Sequence, residues 1–215
     1  MHNVADNYLR AIFEGSYLTG KTSNKRLAGL LGVSPATTTE QVKKMCQKGI
    51  VISQRYGAIS FSKEGERQAI QLIKKFRLCE AWLDNELNLP LEQIASQAWK
   101  LANFDSQLMY DQLNEQLNYP RKTPFGTDVQ EPRLFNESIH SLNSLKPQQK
   151  CKLAEYLDNS KVIGYVQQIG LKIGYGYFAE KVDRDFDILF LSSKEGQQQM
   201  VSRKVGKYIY VRVLE

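Results

Sequence analysis

The residues with the most chemical character lie in the stretch "SPATTTEQVKK", Ser34–Lys44. On a helix, its N-terminal face presents Ala36, Thr37, Thr38, Thr39 and Gln41. These are small or uncharged side chains of the kind that meet base edges in a duplex major groove. Ala and Thr methyls touch thymine methyls, and a Gln pairs with adenine. Lys43 and Lys44, and Lys25 upstream, are placed for phosphates. Arg55 and Tyr56 would reach the backbone or minor groove. Ser34 and Pro35 belong to the same candidate surface and shape the start of the helix. Other chemistry is scarce. There is no G-x-S-x-G, P-loop or HExxH motif, and no paired His/Cys arrangement at catalytic spacing, so an enzyme is not expected. The two histidines, His2 and His140, are far apart. So are the three cysteines, Cys46, Cys79 and Cys151, which fit neither a disulfide framework nor a CxxC metal site.

The elements that must carry the candidate surface can be read around it. "NVADNYLRAIFEGSYL" has helical apolar spacing, with Asn3 as N-cap. In "GKTSNKRLAGLLGV", Thr22 or Ser23 caps a short helix carrying Leu27, Ala28, Leu30 and Leu31. Gly32 ends it and Val33 plugs the turn. Ser34 then caps a second helix that starts at Pro35, buries Val42, Met45 and Cys46, and stops at Gly49. Helix, Gly-containing turn and capped helix form a helix-turn-helix. Two β-rich runs, Ile50–Ser53 and Ala58–Phe61, flank "QRYG" and form a hairpin with Arg55 and Tyr56 at its tip. The four elements in this order predict a winged helix.

Charge supports this reading. Residues 1–75 hold twelve Lys/Arg against five Asp/Glu, a net of +7, while residues 76–215 hold 17 against 18. A basic module attached to a neutral remainder is the footprint of nucleic-acid binding. A long amphipathic helix is predicted from Lys63 to about Leu87, and another from Leu91 to about Leu117. "NYPRKTPFGTDVQEP" then makes a loop. The last third reads as short strands around one helix, "NSKVIGYVQQIG", with alternation at Ile209, Val211 and Val213. That pattern suggests a small SH3-like barrel. The apolar runs are too short to cross a membrane, and the opening residues do not read as a signal peptide. The expected location is cytoplasmic.

Taken together, "DNYLRAIFE", "SNKRLAGLLGVSPATTTEQVKKM", "YGAISFSKEGERQA", "LNYPRKTPFG" and "QQIGLKIG" resemble the DtxR/MntR family of metal-dependent repressors, in its three-domain form. The resemblance implies a mainly α fold with β. A winged helix-turn-helix would span residues 1–72 and a helical dimerisation domain 73–140. An SH3-like (FeoA-like) domain would span 141–215. It also implies a Mn²⁺ or Fe²⁺ switch between the first helix and the dimerisation helices. The family's ligand positions fall here on Asn7, Phe76, Trp99, Ala102 and Asn103. A second site would use Glu80 together with the positions occupied by Thr123 and Phe125. Such cations need carboxylate and imidazole donors, and the first five positions offer none.

The expectation is therefore a sequence-specific DNA-binding regulator that acts as a homodimer on a palindromic duplex operator. Phe76 and Trp99 would fill the usual metal position, with Asn7 and Asn103 as a neutral hydrogen-bonding remnant. No cofactor is expected, and a small-molecule or peptide effector is open. Two alternatives stand beside it. One is a Mn²⁺/Fe²⁺ repressor with non-standard ligands. The other is a dimeric adaptor that does not bind DNA, against which the N-terminal charge excess argues.

Overall fold

The computed structural model describes residues 3–53 and 57–214. They pack as two compact units. The first comprises Met1–Trp82, Ala98–Arg121 and Asp128–Phe135; the second comprises Leu83–Gln97, Lys122–Thr127 and Asn136–Glu215.

In the first unit, α1 (Val4–Ser16) starts at Asn3. The Asn3 side chain accepts from the Asp6 N–H, and the Asp6 carboxylate accepts from the Asn3 N–H. This reciprocal cap satisfies two donors that a helix start leaves open. α1 buries Leu9, Ile12 and Phe13. A two-residue strand, β1 (Thr22–Ser23), precedes α2 (Asn24–Leu31), which Ser23 caps. Gly32 ends α2 with φ +67°, a left-handed conformation that a Cβ disfavours. Val33 does not plug this turn, because it is 37% exposed. The backbone closes the turn instead, with the Val33 N–H donating to the Ala28 carbonyl at 3.2 Å.

α3 (Pro35–Gln47) is capped by Ser34, with Pro35 at its first position as expected. It buries Val42 and Met45, and Cys46 is half-buried. The wing strands are β2 (Val51–Ser53) and β3 (Ala58–Phe61), antiparallel with Val51 opposite Phe61. β1 adds to the other side of β3, pairing Thr22 with Ile59. The resulting sheet has the order β1-β3-β2. β1 is too short to leave a periodic signal in sequence. The wing tip residues Arg55 and Tyr56 lie outside the described residues.

α4 (Lys63–Leu87) begins against the hairpin. The Ser62 hydroxyl donates to the Gly49 carbonyl at 2.6 Å and accepts from the Gly65 N–H at 3.0 Å. A Cβ on Gly65 would collide with the Ile50 carbonyl oxygen. Glycine there lets the helix start sit directly on the strand backbone.

The single helix expected over Leu91–Leu117 is interrupted. α5 (Leu91–Leu101) and α6 (Gln107–Gln116) are separated by residues 102–106. Ser106 caps α6 by accepting from the Met109 N–H at 3.2 Å. The Lys75 ammonium donates to the freed Phe104 carbonyl at 3.0 Å. Apolar periodicity runs through the break, but Asn103, Asp105 and Ser106 supply the short polar side chains that compete for helix backbone.

In the second unit, β4 (His140–Ser141), β5 (Lys150–Tyr156), β6 (Gly176–Asp183), β7 (Ile188–Ser193), β8 (Gln198–Ser202) and β9 (Ile209–Leu214) form one antiparallel sheet, ordered β4-β9-β5-β6-β7-β8. The register shifts at Leu153/Glu155 and at Ala179/Lys181. Such irregularities bend strands, as a small SH3-like sheet requires. α7 (Ser160–Gln168) is capped by Asn159, and α8 (Arg203–Gly206) is a single turn. Ile209 and Val211 are buried as the alternation predicted, but Val213 is 39% exposed and Tyr210 is buried. β4 pairs only with Tyr210 and Val211, so Val213 has a strand neighbour on the β5 side alone. Among the described residues, no helix is long and apolar enough to cross a membrane.

Candidate functional site

Two places in the first unit carry the residues singled out from sequence. The first is the outer face of α3. Lys25, Ser34, Pro35, Ala36, Thr37, Thr39, Lys43 and Lys44 are exposed, and Gln41 is half-buried. Thr38 is the exception and corrects the reading of an outward triplet. It is fully buried, and its hydroxyl donates to the Ser34 carbonyl at 3.1 Å. Thr38 lies four residues before Val42 and seven before Met45, which puts it on the same inward stripe.

The neighbouring hydroxyls are also committed. Thr37 Oγ1 lies 2.8 Å from Ser34 Oγ. Thr39 Oγ1 donates to the Pro35 carbonyl at 2.9 Å and accepts from the Asn24 side chain at 3.2 Å. What Thr37 and Thr39 leave to offer is chiefly methyl groups. Lys44 pairs with Glu40 at 2.7 Å, and that hydrogen bond holds the exposed Glu40 carboxyl below its ordinary range. Lys43 has no ion-pair partner among the described residues.

The second place is where the resemblance put the metal. α1 supplies Asn7, α4 supplies Phe76, and α5 supplies Trp99. The Trp99 indole N–H donates to the Asn7 side-chain oxygen at 3.0 Å. Phe76, 1% exposed, meets Trp99 edge-to-face, with ring centroids 5.5 Å apart. The Arg10 guanidinium lies 4.1 Å from the Phe76 centroid and 5.0 Å from that of Trp99. Its Nε is also 2.6 Å from Glu14 Oε1, with both side chains less than one-fifth exposed. A cation held against two ring faces is attracted by their quadrupoles, and the Glu14 carboxylate balances its charge.

Ala102 is buried and too short to add a polar group. Asn103 is exposed, so the neutral remnant consists of Asn7 without it. The donor set therefore comprises one carboxamide, whose oxygen already accepts from Trp99, facing a guanidinium. A divalent cation needs several carboxylate or imidazole donors and would be repelled by Arg10. These residues do not fit one. Among the described residues, no group of three or more His, Cys, Asp or Glu is arranged to hold a metal.

The residues of the second implied site belong to different units. Glu80 is fully buried in the first unit. Thr123 and Phe125 are buried in the second, where Thr123 shares a 2.9 Å hydrogen bond with Thr127 and Phe125 stacks edge-to-face on Tyr156. Sequence reasoning missed Arg10. A signal existed: Asn7, Arg10 and Glu14 are spaced three and four apart, which puts them on one face of α1.

Comparison with known proteins agrees with this architecture. The model "Iron dependent repressor, N-terminal DNA binding domain" matches residues 1–59. "Iron dependent repressor, metal binding and dimerisation domain" matches residues 62–130. The chain is 24% identical over 187 residues to the iron-dependent repressor IdeR of Mycobacterium leprae, covering 87% of this chain and 76% of that protein. It is similar to the structure of the manganese regulator SloR, with 28% identity and a TM-score of 0.85 over 99% of both chains. It is also similar to ScaR with bound Cd²⁺, with 25% identity and a TM-score of 0.81 over 98% of this chain and 99% of that one. With the winged helix, the helical domain and the SH3-like domain all matched in one continuous fold, the chain belongs to the DtxR/IdeR family of DNA-binding transcriptional repressors.

Proposed function

We propose that this family member binds its operator without a metal at the family's usual position, as a homodimer on a palindromic duplex site. The observation that carries the reading is the Arg10 guanidinium, seated against Phe76 and Trp99 while Trp99 bonds Asn7. In this arrangement the protein's own cation and two aromatic rings link α1 to α4 and α5. A bound metal would otherwise have to make that link. Burying several carboxylates without a cation would cost several kcal/mol, and the substitutions remove that cost.

Lys25, Ser34, Pro35, Ala36, Thr37, Thr39, Gln41, Lys43 and Lys44 would face DNA, together with Arg55 and Tyr56 at the wing tip. Thr38 is dropped from the set because it is buried. The methyl-rich readout face fits an A/T-rich site, with phosphate contacts supplying most of the affinity. Exposed Leu101, Leu108 and Met109 offer apolar surface for a second copy. In this reading the chain divides into a DNA-binding part (1–72), a dimerisation part (73–140) and an SH3-like part (141–215), and it works in the cytoplasm.

The test is a titration of metal-stripped protein on the DNA upstream of its own gene, with excess chelator in one arm and Mn²⁺ or Fe²⁺ in the other. Equal, specific binding in both arms is the expected result. Binding that requires the metal would overturn the proposal.

A further inference from the structure

Beside the interruption between α5 and α6, the first unit carries an open cavity of about 580 Å³ on its surface. Its size lies within the range of small-molecule sites. Its walls come from α1, from α4, from the connecting segment and from the start of α6. Ala102 and Asn103, two of the positions where the resemblance placed metal ligands, line it. Two lysines, Lys74 and Lys75, stand side by side on its α4 wall.

Lys75 is engaged: it donates to the Phe104 carbonyl at 3.0 Å and lies 3.9 Å from the exposed Asp105 carboxylate. Lys74 is half-buried and has no ion-pair partner among the described residues. A lysine drawn partly out of water without a carboxylate to meet it favours an incoming anion. Two carboxylates also line this space: Asp6 caps α1 through the Asn3 N–H at 3.2 Å, and the exposed Asp105 lies beside Lys75, so among the described residues Lys74 is the cation left without a carboxylate. Gln71 and Asn103 bring neutral amide donors to the same space.

We propose that this cavity binds a small organic or inorganic anion bearing phosphate or carboxylate groups, with Lys74 as the charged contact and Lys75 supporting it. The proposal builds on the metal-free reading, because the cavity includes positions that a metal would claim. Charge-assisted hydrogen bonds from an ammonium to such oxygens are the strong ones. Their worth here depends on the ammonium being partly desolvated before the ligand arrives.

The test is isothermal titration of the full chain in chelator. Inorganic phosphate and citrate are the two probes, and sodium chloride at matched ionic strength is the control. The expected result is saturable binding of at least one probe. Phosphate alone would mark a phosphoryl ligand, and citrate alone a carboxylate ligand. Lys74→Met should weaken binding roughly tenfold, the loss of one charge-assisted hydrogen bond. Lys74→Arg should retain most of it, and Lys146→Met, in the other unit, should leave it unchanged. Circular dichroism of each variant confirms that it folds. No saturable heat with either probe, or equal affinity in Lys74→Met, would overturn the proposal. Because the titration is run in chelator, it is separate from the operator experiment. A metal requirement for DNA binding would sink the metal-free reading, whereas silence with both anions would sink only this site.

Discussion

The Trp99 indole N–H reaches the Asn7 side-chain oxygen at 3.0 Å across 92 positions of sequence, joining α5 to the first helix of the DNA-binding module. The bond is neutral on both sides, an indole N–H meeting a carboxamide oxygen. Phe76 closes over it from α4, and Arg10 covers the pair.

Trp99→Phe should keep most of the packing and lose the hydrogen bond, leaving Asn7 half-buried without its donor. That costs about 1 kcal/mol in a urea titration. Trp99→Ala removes the ring as well, and the expected cost rises to about 3 kcal/mol. If Trp99→Phe is as stable as the native chain, the indole nitrogen contributes nothing; if Trp99→Ala is as well, the link between the helices lies elsewhere.

Arg10→Met keeps the apolar stem and removes the cation. It should cost about 1–2 kcal/mol, from cation–π attraction and the sheltered pairing with Glu14. Arg10→Lys should fall between the two, because an ammonium lacks the planar guanidinium that stacks on rings. In a double-mutant cycle, Arg10→Met and Trp99→Leu should couple by about 1 kcal/mol. Strict additivity would show that guanidinium and indole do not interact.

The thiols give a pH-dependent prediction. Burial pushes Cys79 from 9.0 up to about 12, with the Glu80 carboxylate adding to the shift, and burial does the same to Cys151. Burial likewise raises Tyr156 from 10.0 to about 12, reinforced by Asp84 and Glu92. Each group stays protonated in the folded chain at pH values where it ionises in the unfolded one. Their contribution is therefore intact below about pH 9 and is lost as pH climbs toward 12. Stability should fall across that window, and Cys79→Ala should make the fall shallower. At pH 8 a thiol reagent should label Cys46 rapidly, while Cys79 and Cys151 react only on unfolding. Rapid labelling of all three would contradict the burial described for α4 and β5.

On the DNA side, the Thr37 hydroxyl is taken up by Ser34, so its methyl is the group left to read a base. Thr37→Val keeps a methyl and should preserve operator preference, though it weakens the helix start slightly. Thr37→Ser keeps the hydroxyl and should lose about 0.8 kcal/mol at one thymine, roughly fourfold in Kd. Competition binding against operators with that thymine replaced by uracil measures it. If Val relaxes preference and Ser does not, the hydroxyl is the reader.

The caps and breakers made much of this fold readable. Asn3, Ser23, Ser34, Gly32 and Pro35 each act locally, and each stands at the boundary its chemistry dictates. At the positions where the resemblance placed a metal, residue type alone excludes Phe76, Trp99 and Ala102 as donors. Three things were not readable. The α5–α6 interruption depends on Lys75, 29 residues from the carbonyl it satisfies. Thr38 turns inward because α3 continues its apolar stripe one turn earlier than hydrophobicity alone marks. Arg10 takes its meaning from two rings on other helices, and no local pattern shows that a surface-type residue will be covered.

The placement of β9 between β4 and β5 also bears on synthesis. β5 emerges from the ribosome long before its neighbour over Ile209–Leu214 exists, and until then it presents one long side with unpaired backbone. The intervening strands β6, β7 and β8 can add to its other side in order, β6 after the connection that carries α7 and β7 and β8 through short turns. The second unit can thus hold a four-stranded sheet, β5 to β8, before β9 joins its open side and gives β4 a partner. Its final step is a long-range strand insertion, the slowest kind of closure. During translation that open side is a docking place for any other unpaired strand, including one from a sister chain on the same message.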